Sequence, residues 1–516
     1  CVADAKHEKM GKSACSQTLC STRWTTTFLQ DGVPMEQNLT SFTDLYQLTM
    51  MYGFFQAGKK NDEAAFDLFF RKNPFHNGYT VVAGLEKVVD YIRSLRFSEE
   101  DIEFLRKTGL FEDPLFIAEL RAFRFTGHLY AMPEGSLAFP NEPVIRVEAR
   151  LFEAQLVETA LLTMVGFQSL VATKANRIVR AAEGRPVLEF GSRRAQETEA
   201  ALLGARAAII GGCVATSNVL AGERYNLKVA GTHAHSWVMS FPSELDAFRA
   251  YAKVYPDNLI LLVDTYDTIR SGLPNAIKIF QEVFAWHGRP LSYGIRIDSG
   301  DLAYLSKLAR EKLDEAGYTD AKIVVSNDLD EYLIRELQIQ GARIDSYGVG
   351  TRLITAFDQP AIGCVYKLAA ERSNGDWSPR LKRSENPEKI TNPGVKKILR
   401  FFDKGTNKAV VDLIMLVDED LPKQPFEVFD PVHTWKRKTV DHASYQELLI
   451  PIFHHGELVY ELPSLDEIVK NLQENLAAFS DEHVRLTNPH TYHVDLSQKL
   501  WDTKMRLLSE VSRMTP

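Results

Sequence analysis

The stretch LSYGIRIDSGD, residues 291–301, is apolar through its body and ends in Arg296, Asp298, Ser299 and Asp301. Six other short runs share that design: PVLEFGSRR (186–194), AAIIGGCVATSN (207–218), LKVAGTHAHS (227–236), NLILLVDTYDT (258–268), AKIVVSNDLD (321–330) and ARIDSYGVGT (342–351). Helical patterns such as ELDAFRAYAKVY and LAYLSKLAREKLDEAG lie between them. Alternating strands and helices imply βα units around a parallel sheet. Such units in succession predict an α/β fold with an irregular (β/α) barrel, the alternative being a doubly wound open sheet. The strand ends favour the barrel. Every run closes on polar residues suited to chemistry, and a barrel gathers all its C-terminal strand ends around one site.

Outward from this region the pattern changes. Residues 35–150 predict a mixed N-terminal α/β domain. It contains a helix TDLYQLTMMYGFFQA (43–57) capped by Thr43 and closed by Gly58, a strand AAFDLFF (64–70), and a helix opened by the capping pattern SEED. The barrel expectation spans 151–365 and carries the active site. Residues 366–516 open on a polar, basic, turn-rich stretch, continue in strand-like pieces AVVDLIMLV and YQELLIPIF, and end in helices from 465 onward.

Composition narrows the function classes. The 516 residues are 45% hydrophobic and 25% charged, the balance of an ordinary globular chain. A net charge of −8, from 60 basic and 68 acidic residues, gives no electrostatic case for nucleic acid or an anionic membrane. No apolar run is long enough to span a bilayer. The five cysteines form no C-x-x-C pair, which argues for a reducing, cytoplasmic location. Residues 1–34 are polar, Ser/Thr-rich and aperiodic; they predict a disordered extension or an upstream artefact, with Met35 as the start.

The strand ends can be weighed one by one. In YGVGT (347–351), Gly348 and Gly350 let backbone N–H groups approach a phosphate and Thr351 adds a hydroxyl, although a plain tight turn fits equally well. In RIDSGD (296–301), Asp298 and Asp301 can bond sugar hydroxyls or hold Mg²⁺ through water, while Asp298 or Ser299 could simply cap the next helix. Arg296, between Ile295 and Ile297, needs an anion: Asp298 itself, or a ligand carboxylate or phosphate. In FGSRRAQ, Phe190 beside Arg193 and Arg194 suits a flat aromatic acid, or else plain packing and a solvated arginine pair. His233 and His235 look like a zinc clip. Yet no other strand end supplies a histidine, and a zinc amidohydrolase site needs further His and Asp ligands.

Taken in order, TDLYQLTM, FDLFFRKNPF, PEGSLAFP, LEFGSRRAQ, TSNVLAG, AGTHAHSW, VDTYDTIRSGLPNA, RIDSGDL, VVSNDLDE and YGVGTRL resemble the nicotinate phosphoribosyltransferase family, from about Thr43 through NPEKITNPGVKK. The resemblance implies formation of nicotinate mononucleotide and pyrophosphate from nicotinate and phosphoribosyl pyrophosphate, the entry of nicotinate into NAD synthesis. It implies ATP hydrolysis coupled through a phosphohistidine, hence classification as a ligase, with Mg²⁺ as cofactor. It also implies an irregular barrel joined to an α+β domain built from both chain ends, so that 366–516 packs with the N-terminal domain, and a homodimer with shared active sites. In these terms His235 is the phosphorylated histidine and Thr232 contacts nicotinate. His233 falls where the family often has an apolar residue. Tyr46 resembles a stacking tyrosine donated across the dimer. Arg193 and Arg296 lie near the nicotinate carboxylate, Thr351 touches the ribose phosphate, Asp298 serves the ribose and metal–pyrophosphate end, and Asn327 the nucleotide side. Nicotinamide phosphoribosyltransferase is the near alternative. TSN at 216–218 offers no carboxylate for an amide, which favours the acid, and quinolinate would demand a more basic site. A catalytically silent binding protein is the remaining alternative.

Overall fold

Seven chain segments lie side by side because each is an apolar run flanked by a helix that covers it. The structure, a computed structural model, describes residues 38–373, 375–386 and 389–514, so the expectations for residues 1–34 and Met35 fall outside the described residues. The central sheet runs Ala215–Thr216, Val187–Glu189, Ser346–Val349, Lys322–Val325, Ser292–Ile297, Asn258–Leu262, all parallel. A parallel bridge between Thr216 and Val229 adds a seventh position at one edge. At the opposite edge, the Leu262 N–H donates to Nε2 of His233 at 3.2 Å. The segments therefore follow one another round in chain order, and the curled sheet is an irregular barrel.

Alternation explains the layers. Leu259 and Leu261, Ile295 and Ile297, Ile323 and Val325, and Tyr347 and Val349 share one apolar core with helix residues such as Ala276, Phe280 and Leu313. Side chains at the intervening positions face the other side of the sheet. That is why Arg296 turns inward although both neighbours are packed beneath helices.

Two expected strands are mostly absent. AAII of the 207–218 run completes the helix Thr198–Ile210, and only Ala215–Thr216 is extended. A short apolar run does not distinguish helix from strand. Here it continues the pattern EAALLGAR and stops at Gly211 and Gly212, the latter at φ +107°. The 227–236 run makes one bridge, at Val229, before the short helix His235–Met239. The first helix is Leu45–Gln56 with Asp44, not Thr43, at its N-cap. The Thr43 hydroxyl instead donates to Leu156 O at 3.2 Å.

A second, largely antiparallel sheet draws on both chain ends, in the order Ser378–Pro379, Cys364–Arg372, Glu63–Phe70, Pro143–Arg150, His128–Ala131, Ile450–His454, Glu457–Leu458. A third sheet orders Ala443–Glu447, Lys396–Asp403, Ala409–Leu416 and Val494–Leu496. The 24-residue helix Glu158–Ala181 couples these parts to the barrel. Ala160, Leu161 and Met164 at its start belong to the outer core, whereas Ala172, Ala175 and Ile178 belong to the barrel core. Its two fully buried cations, Lys174 and Arg177, share Glu331, each at 2.7 Å, and Lys174 also pairs with Asp358. No helix among the described residues is long and apolar enough to cross a membrane.

Candidate active site

The strand Ser292–Ile297 delivers Arg296 to the polar end of the barrel, and the guanidinium organises what surrounds it. Its Nε donates to Ser326 Oγ at 2.8 Å, Nη1 to Thr232 Oγ1 at 3.0 Å, and Nη2 to Asp298 Oδ1 at 2.9 Å. The Ser326 hydroxyl also donates to Asp298. Four residues on three segments are thus tied at one point. Burial alone would raise the Asp298 carboxyl, but the Ser326 hydroxyl and the Arg296 guanidinium outweigh it and hold the group below its ordinary range. Asp298 is therefore an anion at neutral pH.

His235 stands beside this anion. Its Nε2 lies 3.8 Å from Asp298 Oδ2, and its Nδ1 lies 3.2 Å from the Thr265 hydroxyl. It is the first residue of the helix His235–Met239, which gives the imidazole a partly exposed position. Asp264, next to Thr265, accepts from the Asp298 N–H at 3.0 Å and from Ser299 Oγ at 2.6 Å. Its other oxygen, Oδ1, is buried without a hydrogen-bond partner.

The opposite wall is Phe190. Its ring centroid lies 5.8 Å from Arg296 Cζ, and its N–H donates to Val349 O at 2.8 Å. A Cβ on Gly348 would stand 2.6 Å from ring atoms Cδ2 and Cε2, and a Cβ on Gly350 would stand 3.1 Å from Phe190 O. Gly348 is thus required for the ring to lie against the strand, a role distinct from the phosphate approach its sequence context suggests. Beside Phe190, buried Glu189 accepts from Thr216 Oγ1 at 2.6 Å and from the Gly191 N–H. Burial raises its carboxyl above the ordinary range, only partly offset by those two bonds.

A flat apolar wall, a fixed guanidinium, an anchored carboxylate and an accessible imidazole at one barrel mouth suit an aromatic acid beside a phosphorylated partner. Comparison with known proteins decides the family. Residues 42–166 match the nicotinate phosphoribosyltransferase N-terminal domain, 186–397 the nicotinate phosphoribosyltransferase family and 395–504 its C-terminal domain. The chain belongs to the nicotinate phosphoribosyltransferase family. It is 49% identical over 479 residues to the nicotinate phosphoribosyltransferase of Bacillus subtilis, covering 92% of this chain and 96% of the relative. It is 37% identical over 522 residues to that of Caenorhabditis elegans, covering 89% and 91%. The crystal structure of human nicotinic acid phosphoribosyltransferase superposes with a TM-score of 0.79 at 32% identity, covering 90% of this chain and 99% of that one.

Against the family expectations, the structure brings Thr232, His235, Arg296, Asp298 and Phe190 together, with Gly350 and Thr351 on the adjoining strand end. Arg193 lies exposed on the turn Ser192–Arg194 after Phe190. Asn327 is exposed next to Ser326 and holds φ +118°, a strained conformation typical of functional loops. Asp301 is the cap of the helix Leu302–Glu315, accepting from the Tyr304 N–H at 2.9 Å, so the cap falls on neither Asp298 nor Ser299. Tyr46 stands elsewhere, in a groove with Met50, Phe54, Glu158, Tyr366 and Lys367, none of which belongs to the barrel strand ends.

Three roles escaped the sequence. Asp264 and Thr265 sit within VDTYDT, and Glu189 within VLEF; a charged residue closing a buried strand was the available signal for Glu189. A carboxylate does neighbour Thr216, but both its oxygens are occupied by Thr216 and Gly191. His233 is buried, with Nε2 accepting from the Leu262 N–H, so it is a structural acceptor rather than an idle neighbour of His235. Burial holds its pKa down at about 4. A zinc clip from the two histidines is excluded on this geometry: one ring nitrogen of His233 is taken by the backbone, and among the described residues neither histidine joins a cluster of three ligating groups.

Proposed function

We propose that the chain forms nicotinate mononucleotide from nicotinate and phosphoribosyl pyrophosphate at the mouth of its barrel, and couples ATP hydrolysis to that reaction through His235. The observation that carries this reading is the Arg296 node, which fixes Thr232, Ser326 and Asp298 opposite the Phe190 ring and beside His235.

In this mechanism the pyridine ring packs on Phe190, and its carboxylate meets the outward N–H groups of Arg296, with Arg193 free to swing in from its turn. The ring nitrogen attacks the ribose anomeric carbon as the bond from that carbon to pyrophosphate breaks, and the electron pair leaves with pyrophosphate. The chain contributes alignment of two bound substrates and donors for the leaving charge. Strand-end N–H groups at Gly350 and the Thr351 hydroxyl hold the ribose phosphate.

The Asp298 anion faces Nε2 of His235 and favours a proton there, which leaves Nδ1 unprotonated as the phosphoryl acceptor beside Thr265. Transfer from ATP forms an N–P bond and releases ADP, and the phosphoimidazole then enlarges the anionic demand at the pyrophosphate end. Asp264 and Asp298 fit Mg²⁺, which takes one or two carboxylates along with substrate phosphates, and the unpartnered Asp264 Oδ1 is the atom suited to it. Bound there, Mg²⁺ would neutralise charge on the departing pyrophosphate. A second copy of the chain would complete the site by presenting Tyr46 across a homodimer interface.

Pyrophosphate release from nicotinate, phosphoribosyl pyrophosphate and Mg²⁺, measured with and without ATP, tests the reading. Nicotinamide should fail to compete. His235→Ala should abolish ATPase activity and acid-labile phosphate on the protein, whereas His233→Leu should retain both. No release under either condition, or the reverse behaviour of the two histidine variants, overturns it.

A further inference from the structure

On the second sheet, outside the sheet that carries the Arg296 node, three histidines converge that the proposed transfer reaction does not use. The strand His128–Ala131 pairs antiparallel with Ile450–His454, through Ile450 to Ala131, Pro451 to Tyr130 and Phe453 to Leu129. One step further, His454 comes opposite His128, with their Nδ1 atoms 3.0 Å apart. The chain then turns back through His455 and Gly456 into Glu457–Leu458, with His454 paired to Glu457. Both turn residues have positive φ, 48° and 78°. This is the two-residue hairpin whose twist matches its strands.

The turn is clamped in place. The Gly456 N–H donates to Gly127 O at 2.8 Å, and a Cβ on Gly456 would stand 2.4 Å from Phe125 O. The left-handed turn swings His455 back over its neighbours, and its own N–H donates a long hydrogen bond to His128 Nδ1 at 3.4 Å, which a metal bound at that nitrogen would replace. The three ring centroids are mutually 4.4 to 4.6 Å apart. One ring nitrogen of each residue lies within 4.8 Å of the other two. Tetrahedral imidazoles on Zn²⁺, at about 2.0 Å from the ion, place their nitrogens about 3.3 Å apart, so closing the set requires the rings to draw together by at most about 1.5 Å. His128 is half-buried and the other two are exposed, which leaves an approach from solvent and a fourth position for water.

We infer that His128, His454 and His455 form a surface binding site for a divalent transition metal, Zn²⁺ foremost, that ties the 450–458 hairpin to the N-terminal strand. Three imidazoles without a carboxylate select such ions over Mg²⁺ and Ca²⁺. The site joins residues 326 positions apart in sequence, so a bound ion restricts the unfolded chain and stabilises the folded one.

The test uses the full chain, stripped with chelator and titrated with ZnCl₂ against a chromophoric competitor in millimolar Mg²⁺. The expected result is one Zn²⁺ per chain at micromolar affinity or tighter, with a rise in Tm. His454→Gln should weaken binding at least about tenfold and remove the rise. His455→Asn should do the same, and because asparagine tolerates positive φ, it separates lost ligation from a broken turn. His235→Gln should leave the stoichiometry unchanged. No Zn²⁺ bound by the unsubstituted chain, or Zn²⁺ that survives His454→Gln and His455→Asn unweakened, overturns the site.

Discussion

Replacing His233 by leucine isolates the bond that closes the barrel. The ring is buried and its Nε2 accepts the Leu262 N–H at 3.2 Å. Leucine fills a similar volume but leaves that donor unpaired, a cost of about 1–3 kcal/mol. A proton on the ring works the same way, since the cation has no acceptor to offer. The folded pKa, about 4, lies below the ordinary imidazole value of 6.5, so the unfolded chain binds the proton first as pH falls. Stability from this group is complete above pH ~6.5 and is lost between there and pH ~4, by about 3 kcal/mol in total and about 2 kcal/mol by pH 5. Hydrogen exchange of peptides covering Asn258–Leu262, corrected for intrinsic rates, reads this directly. At pH 7.5 the variant should lose about 5- to 150-fold of the Leu262 protection. Between pH 7 and 5 the unsubstituted chain should lose protection there while the variant stays flat. Equal protection in both proteins at pH 7.5, or parallel pH profiles, would refute the argument.

Two further outcomes test the site. Gly348→Ala puts a methyl 2.6 Å from the Phe190 ring and should displace it, raising the KM for nicotinate about tenfold while the KM for phosphoribosyl pyrophosphate changes little; an unchanged nicotinate KM would show that the ring does not contact that substrate. Asp264→Asn keeps an oxygen for the Asp298 N–H but removes the charge, so half-maximal activity should require about tenfold more Mg²⁺ with Tm nearly constant. Unaltered Mg²⁺ dependence would remove Asp264 from the metal reading.

Sequence made the barrel and much of its mouth legible for a physical reason. Parallel strands are buried on both faces, so a charged residue among their apolar positions, such as Arg296, has to be there for a partner. Asp298 and Thr232 follow from the same strand-end logic, whereas the choice of His235 over His233 comes only from the family resemblance. Legibility failed where local pattern carries no directional information. AAII at 207–210 serves a helix as well as a strand, and only Gly211 and Gly212 decide. Glu189 hid in an apolar run because its partners, Thr216 and the Gly191 N–H, are set by packing of neighbouring strands. Gly348 was legible as a special position, but its reason, the ring across the strand, required the third dimension. Tyr46 illustrates a different limit: it stands in a groove apart from the barrel strand ends, and the role proposed for it requires a second chain.

The loosened segment after Val229 has a consequence for parity. In a regular strand, residues three apart point to opposite faces, so Thr232 and His235 could not serve one pocket. Here the ladder ends at Val229, a helix begins at His235, and the imidazole of His233 holds the stretch to its neighbour in place of backbone pairing. Thr232 can then meet Arg296 while His235 meets Asp298, an odd spacing that a fully paired strand would forbid.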